Sequence, residues 1–148
     1  MKNITVQDIV QATGGRLLCG SPDLLIRNIS IDSRTMKGDD IFVPIIGAKV
    51  DAHRFIGGAF QAGAAATFTS EHDEMEDTHP WIRVEDTVKA LQDLGAFCRN
   101  RLTMPIIGVT GSVGKTSTKE MISSILSQKY SVLKTPGNLN NEIGLPLT

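Results

Sequence analysis

Ile106-Ile107-Gly108-Val109-Thr110-Gly111-Ser112-Val113-Gly114-Lys115-Thr116-Ser117-Thr118 is the stretch that decides how the chain is read. The apolar run after Pro105 predicts a strand, Gly108, Gly111 and Gly114 predict a turn, and Met121, Ile122, Ile125 and Leu126 follow at helical spacing. Strand, glycine-rich turn and helix together make a phosphate-binding loop. Glycines let successive backbone N–H groups curl round phosphate oxygens, and the helix N-terminus adds partial positive charge. Lys115 then supplies a point charge to the β- and γ-phosphates, and the Thr116 hydroxyl is a ligand for Mg2+. One position departs from the common pattern, which has glycine where Val109 stands. A chance glycine-rich turn would not require Gly-Lys-Thr at a helix start, so nucleotide phosphate binding is the reading. The loop alone does not choose between ATP and GTP.

Upstream, the chain reads as alternating α and β. Thr5 opens a short helix carrying Val6, Ile9 and Val10, which stops at Gly14-Gly15. Strands are predicted over Arg16–Cys19, Ile26–Ile31, Ile41–Ile46 (where Pro44 favours an edge or an end), Ala65–Thr69 and Trp81–Val84. Asp51 caps a predicted helix through Arg54–Ala62, and Thr87–Arg101 is a further helix. The acidic run from Glu71 to Asp77 is either a solvated loop or a carboxylate cluster for a cation; His72 and His79 receive no role. Trp81 packs in a core or domain interface, or stacks on a base. Ser131–Thr135 is a last predicted strand, and the beginning of another helix follows.

Composition bounds the rest. The 148 residues carry 15 basic and 16 acidic side chains and are 41% hydrophobic, an ordinary globular balance that argues against a nucleic-acid surface. The charge is uneven: residues 1–82 hold seven basic and eleven acidic side chains, residues 83–148 eight and five. Cys19 and Cys98 stand alone, so neither a disulfide framework nor a zinc site is expected. No apolar run approaches the ~20 residues of a membrane helix. A cytoplasmic chain, monomeric, is the expectation. It has two parts, residues 1–82 as a small α/β domain and residues 83–148 as the start of a P-loop parallel-sheet domain. A P-loop sheet needs further parallel strands and usually a second carboxylate, so these residues are expected to be the N-terminal part of a larger enzyme, inactive alone.

Thr110-Gly111-Ser112-Val113-Gly114-Lys115-Thr116 resembles the P-loop of the Mur ligases, the ATP-dependent amide-forming enzymes of peptidoglycan synthesis, a form that accommodates Val109. Asp32-Ser33-Arg34, Gly38-Asp39-Asp40-Ile41-Phe42-Val43 and Asp51-Ala52-His53-Arg54-Phe55 resemble their UDP-recognition domain, with Ala52 where glycine is common. Thr135 to Pro146, with Asn138-Leu139-Asn140-Asn141-Glu142 inside it, is similar to the branch that adds D-alanyl-D-alanine to UDP-N-acetylmuramoyl-tripeptide. The resemblance implies ATP and Mg2+ as cofactors and a substrate carboxylate activated as an acyl phosphate before the amine attacks. It assigns Thr110, Gly111, Ser112, Val113, Gly114, Lys115, Thr116 and Ser117 to the nucleotide. Lys115, Asn140 and Asn141 are placed at the γ-phosphate as catalytic candidates. Thr116 and Glu142 are metal candidates, Glu142 being alternatively a helix N-terminal charge. Ser33, Arg34 and His53 are assigned to the UDP-sugar. Arg34 is alternatively an ion pair of the acids at 39–40, and His53 an exposed or capping residue after Asp51. The branch adding the third residue, an unrelated P-loop phosphotransferase, and a non-catalytic nucleotide-binding module stay open as alternatives.

Overall fold

The computed structural model describes residues 1, 3–137, 139 and 141–148. Strand β1 (Ile4–Thr5) leads into helix α1 (Val6–Thr13). The Thr5 hydroxyl accepts from the Asp8 N–H at 3.2 Å and the Asp8 carboxylate accepts from the Thr5 N–H at 2.8 Å, a reciprocal cap. Gly14, at φ 64°, ends the helix in a conformation that side chains resist. β2 (Arg16–Cys19) follows.

The single strand expected over Ile26–Ile31 is two. β3 (Leu25–Ile26) pairs antiparallel with β1, whereas β4 (Asn28–Ser30) joins the main sheet. Arg27 divides them: its N–H donates to the Asp39 carbonyl at 2.9 Å, and its guanidinium lies 3.3 Å from the Asp39 carboxylate. β5 (Asp40–Phe42) stops before Pro44, as proline's missing donor requires. A 3₁₀ turn (Ala52–Phe55), α2 (Ile56–Gln61), β6 (Ala64–Thr69), β7 (Trp81–Arg83) and α3 (Thr87–Asn100) complete this body.

The main sheet runs β2-β7-β6-β5-β4, with β4 to β7 parallel and β2 antiparallel at one edge. Successive side chains sort to opposite faces. Ile41, Val43, Ala66, Phe68 and Ile82 pack under α1 and α3 with Ile9, Leu91 and Leu94. Phe42, Ala64 and Trp81 pack on the other face with Ile56 and Ala59 of α2. Each large aliphatic so buried contributes roughly 1.5–3 kcal/mol. The boundary expected at 82/83 thus falls within one packed body, because Ala90, Leu91 and Leu94 of α3 share the core of α1.

Beyond α3, helix α4 (Lys115–Leu126) forms as the spacing predicts. The strands expected at 106–109 and 131–135 are not seen; among the described residues these segments have no ladder partner, and Ile107 and Leu133 are 57% and 80% exposed. A β-strand exists only by pairing, so β propensity without a neighbour leaves the backbone unladdered. Residues 141–148 turn back onto α3. The Gln92 side chain donates to the Glu142 carbonyl at 3.4 Å, Pro146 lies against Gly95, and Ile143 and Leu147 pack on the main core. Among the described residues, no helix is long and apolar enough to cross a membrane.

Candidate functional site

Two regions carry the candidate residues. In the first, α4 begins at Gly114, φ 80°, and Gly111 stands at φ 151°, both in the left-handed region that suits glycine. Among the described residues no side chain caps the helix, and its first turn holds no acidic residue, so its leading N–H groups and partial positive charge are open to an anion. Thr110, Gly111, Ser112, Val113, Gly114, Thr116 and Ser117 are exposed around it. Lys115 is half-buried and its ammonium donates to the Gly111 carbonyl at 2.6 Å, folded across the loop it would share with a phosphate. Asn141 and Glu142 are exposed. The Asn141 carboxamide oxygen accepts from the Gly144 N–H at 2.6 Å and so closes the terminal turn. Asn140 lies outside the described residues. Among the described residues no hydrogen bond or ion pair joins Asn141 or Glu142 to Lys115 or Thr116, and Glu142 caps no helix.

The second region is the carboxyl edge of the parallel strands, the place where open α/β sheets hold ligands. β4 leads to Ser33 and Arg34, β5 to Asp51 and His53, and β6 to Ser70 and Glu71. Arg34 is paired, though not with the acids at 39–40: Asp32 takes its guanidinium in a two-pronged contact, Nε at 2.9 Å and Nη2 at 2.7 Å. That fork holds the Asp32 carboxyl at about 2 and raises Arg34. Asp39 is taken by Arg27, and buried Asp40 accepts from the Asn28 side chain and the Lys37 N–H. Ser33 is half-buried beside this fork.

His53 is neither exposed nor free. Its side chain is 1% exposed, Nδ1 lies 2.6 Å from the Asp51 carboxylate, and Nε2 lies 3.0 Å from the Ser70 N–H and 3.2 Å from its hydroxyl. A backbone N–H can only donate, so Nε2 is the acceptor and the ring proton sits on Nδ1, directed at Asp51. Asp51 also caps the 3₁₀ turn by accepting from the His53 N–H at 2.9 Å, the main cause holding its carboxyl at about 2. Glu71 is raised by the neighbouring Asp51 carboxyl, which disfavours a second negative charge beside it. Donor atoms of Asp51, His53 and Glu71 all lie within 4.8 Å of one another, but an Nδ1 that carries a proton has no lone pair for a metal. The trio is a clasp between the 3₁₀ turn and the end of β6. A cleft of about 340 Å³ opens beside it, bordered by Lys49, Arg54, Glu71 and His72.

Composition did not single out Ser70 or Glu71. Ser70 is invisible without β6 in place, and Glu71 stands at the head of an acidic run. Two further acids of that run are used internally: Asp73 pairs with Arg83 at 2.9 Å, and Asp77 accepts from the Trp81 indole at 3.2 Å and from the His79 N–H at 3.1 Å. Trp81 is buried core, in contact with Phe60.

An α/β sheet with loops gathered at its carboxyl edge, followed by a glycine-rich loop on an open helix start, defines a protein of the phosphate-binding-loop class. Residues 25–99 match the family described as Mur ligase family, catalytic domain, and residues 109–148 match the Mur ligase middle domain. The chain belongs to the Mur ligase family. It is 48% identical over 129 residues to the UDP-N-acetylmuramoyl-tripeptide--D-alanyl-D-alanine ligase of Synechocystis sp., covering 86% of this chain and 28% of that protein. The crystal structure of MurF from Acinetobacter baumannii superimposes with a TM-score of 0.84 at 36% identity, over 97% of this chain and 32% of that one. MurF ligase from Thermotoga maritima in complex with ADP gives 0.74 at 38%, over 86% and 29%. The chain therefore spans about a third or less of the length of these relatives.

Proposed function

We propose that this chain is the recognition and P-loop portion of an ATP-dependent ligase that joins D-alanyl-D-alanine to UDP-N-acetylmuramoyl-tripeptide in the cytoplasm. The observation that carries the reading is the uncapped start of α4 behind Gly111 and Gly114, with Lys115 folded over it, in a chain whose relatives carry that ligase's name. Residues Thr110 to Ser117 hold the ATP phosphates, and Lys115 leaves the Gly111 carbonyl to meet the γ-phosphate as the substrate carboxylate attacks it.

The Thr116 hydroxyl and the exposed Glu142 carboxylate are hard oxygen donors of the kind Mg2+ prefers, and we assign them to it. When bound, that ion neutralises charge on the phosphoryl group being transferred. We assign Asn140 and Asn141, as uncharged amides, to the same phosphate. Ser33 and Arg34 meet the uridine-diphosphate end, Arg34 exchanging Asp32 for phosphate with the same fork. We assign His53 to shaping this recognition edge through Asp51 and Ser70. The recognition unit, which the sequence places at residues 1–82, is taken here to run through α3, because α3 shares its core.

The test is phosphate release by the complete reading frame encoding this chain, given Mg-ATP and UDP-N-acetylmuramoyl-tripeptide. Release that needs D-alanyl-D-alanine and yields an amide of the summed mass is the expected result. Release indifferent to the dipeptide, or dependent on a free amino acid, refutes it.

A further inference from the structure

Lys115 and Lys119 lie one turn apart on α4 and so share a face. Lys115 reaches back to the P-loop, whereas the Lys119 ammonium reaches forward and donates to the Thr135 carbonyl at 2.7 Å and the Gly137 carbonyl at 3.2 Å. Only 19% of the Lys119 side chain is exposed, with the Glu120 carboxylate 3.4 Å away. A lysine so covered is uncommon unless its charge is used.

The segment it holds belongs to no strand, so its backbone carbonyls lack the partners a sheet would give. Its described attachments to α4 are Lys119 and the pair of Lys134 with Glu120. Further along, Glu142 and Pro146 are anchored on α3. Among the described residues, Lys119 and the more exposed Lys134–Glu120 pair tie residues 134–137 to the helix bearing Lys115 and Thr116, Lys119 holding two backbone carbonyls, and residues 142–146 rest on α3.

We infer that Lys119 is a positioning residue for ATP-dependent phosphoryl transfer, fixing the backbone at Thr135 and Gly137, and through it Asn141 and Glu142, relative to the P-loop. The inference rests on the proposed ligase reading. Among the described residues Lys119 makes no hydrogen bond or ion pair to Lys115 or to the loop that cradles phosphate, so its loss is expected to leave nucleotide binding intact. What changes is the placement of Asn141 and Glu142 relative to the γ-phosphate, and a misplacement near 1 Å lowers rate by roughly 100-fold.

In the complete reading frame, Lys119→Met is expected to lower kcat by about 10- to 100-fold while the KM for Mg-ATP stays within about threefold. Lys119→Arg, which keeps charge and donors, recovers part of the loss, and Lys134→Met, removing an exposed pair, changes kcat less than about threefold. An unchanged kcat in Lys119→Met, or kcat, ATP affinity and melting temperature falling together, overturns the inference. Wild-type protein without dipeptide-dependent turnover is instead a failure of the parent reading. One readout needs no turnover. In this 148-residue chain, Lys119→Met is expected to speed amide exchange about tenfold or more in peptides from 131–148 and leave α1 and α3 unchanged. Unaltered exchange in 131–148 overturns the inference even if the enzyme is inactive.

Discussion

Replacing His53 by alanine separates a ligand contact from a clasp. The ring is 1% exposed and makes a 2.6 Å contact from Nδ1–H to the Asp51 carboxylate and a 3.0 Å contact from the Ser70 N–H to Nε2. A hydrogen bond to a charged group contributes about 1.5–3 kcal/mol and a neutral one about 0.5–1.5, so losing both costs about 2–4.5 kcal/mol. With a urea slope near 2 kcal/mol/M for a chain of this size, the unfolding midpoint of His53→Ala should fall by roughly 1–2 M. His53→Gln restores an acceptor toward the Ser70 N–H without the ring's Nδ1–H donor to Asp51, and should recover about 1 kcal/mol. The assay is equilibrium urea unfolding followed by circular dichroism, paired with calorimetric titration of the UDP-linked substrate. A stability loss below about 0.5 kcal/mol, well under the expected range, together with substrate affinity weakened tenfold or more, would mean that the ring meets the ligand directly and the clasp is incidental.

Lys115→Ala removes a side chain whose described partner is the Gly111 carbonyl, so its melting curve should match wild type while Mg-ATP affinity, measured by calorimetry, falls at least tenfold; unchanged affinity would refute the P-loop assignment. Gly20 stands at φ 81°, and a Cβ there would come within 2.4 Å of the Pro80 backbone nitrogen, so Gly20→Ala must push β2 away from β7. Left-handed strain of about 1–2 kcal/mol plus overpacking of about 1–3 predicts a loss of about 2–5 kcal/mol in urea unfolding; a loss within 0.5 would refute it. The Asp51 and Asp77 carboxyls are held at about 2, below the ordinary 3.8. The His53 N–H is the largest cause for Asp51; for Asp77, bonds from His79 and Trp81 outweigh desolvation, which acts in the opposite sense. A depressed folded value stabilises above the unfolded value and is lost as pH falls through the folded one, so the urea midpoint should hold down to about pH 4 and drop between about 4 and 2. Glu71, raised by Asp51, works in the opposite direction and stabilises the protonated form. A midpoint that climbs below pH 4 would contradict the assignment.

What was legible in the sequence is what a few neighbouring residues determine. Thr5, Asp8 and Gly14 delimit α1 because cap and stop are made within eight residues of helix. Gly111, Gly114 and Lys115 mark the P-loop because a backbone conformation and one charge are local properties. The misreadings share an opposite cause. Alternation over Ile26–Ile31 cannot reveal that Arg27 is drawn to Asp39, which divides the run between two sheets. Apolar residues at 106–109 signal a strand, yet a strand needs a neighbour, and this stretch has none among the described residues.

The same division separates the residues proposed to do chemistry from those that position them. Asp51 and His53 are two apart, so capping was foreseeable, but the partner that removes His53 from solvent, Ser70, is 17 positions on and arrives only once β6 is laid beside β5. Lys119 reads locally as one more lysine on an exposed helix; its acceptors are 16 and 18 positions away, in a segment without secondary structure. A phosphate-binding loop can be recognised by motif because its function resides in its own backbone. A positioning residue has function only through the segment it holds, so its identity follows from the assembled fold, and its loss should register in rate and local amide exchange before it registers in ligand affinity.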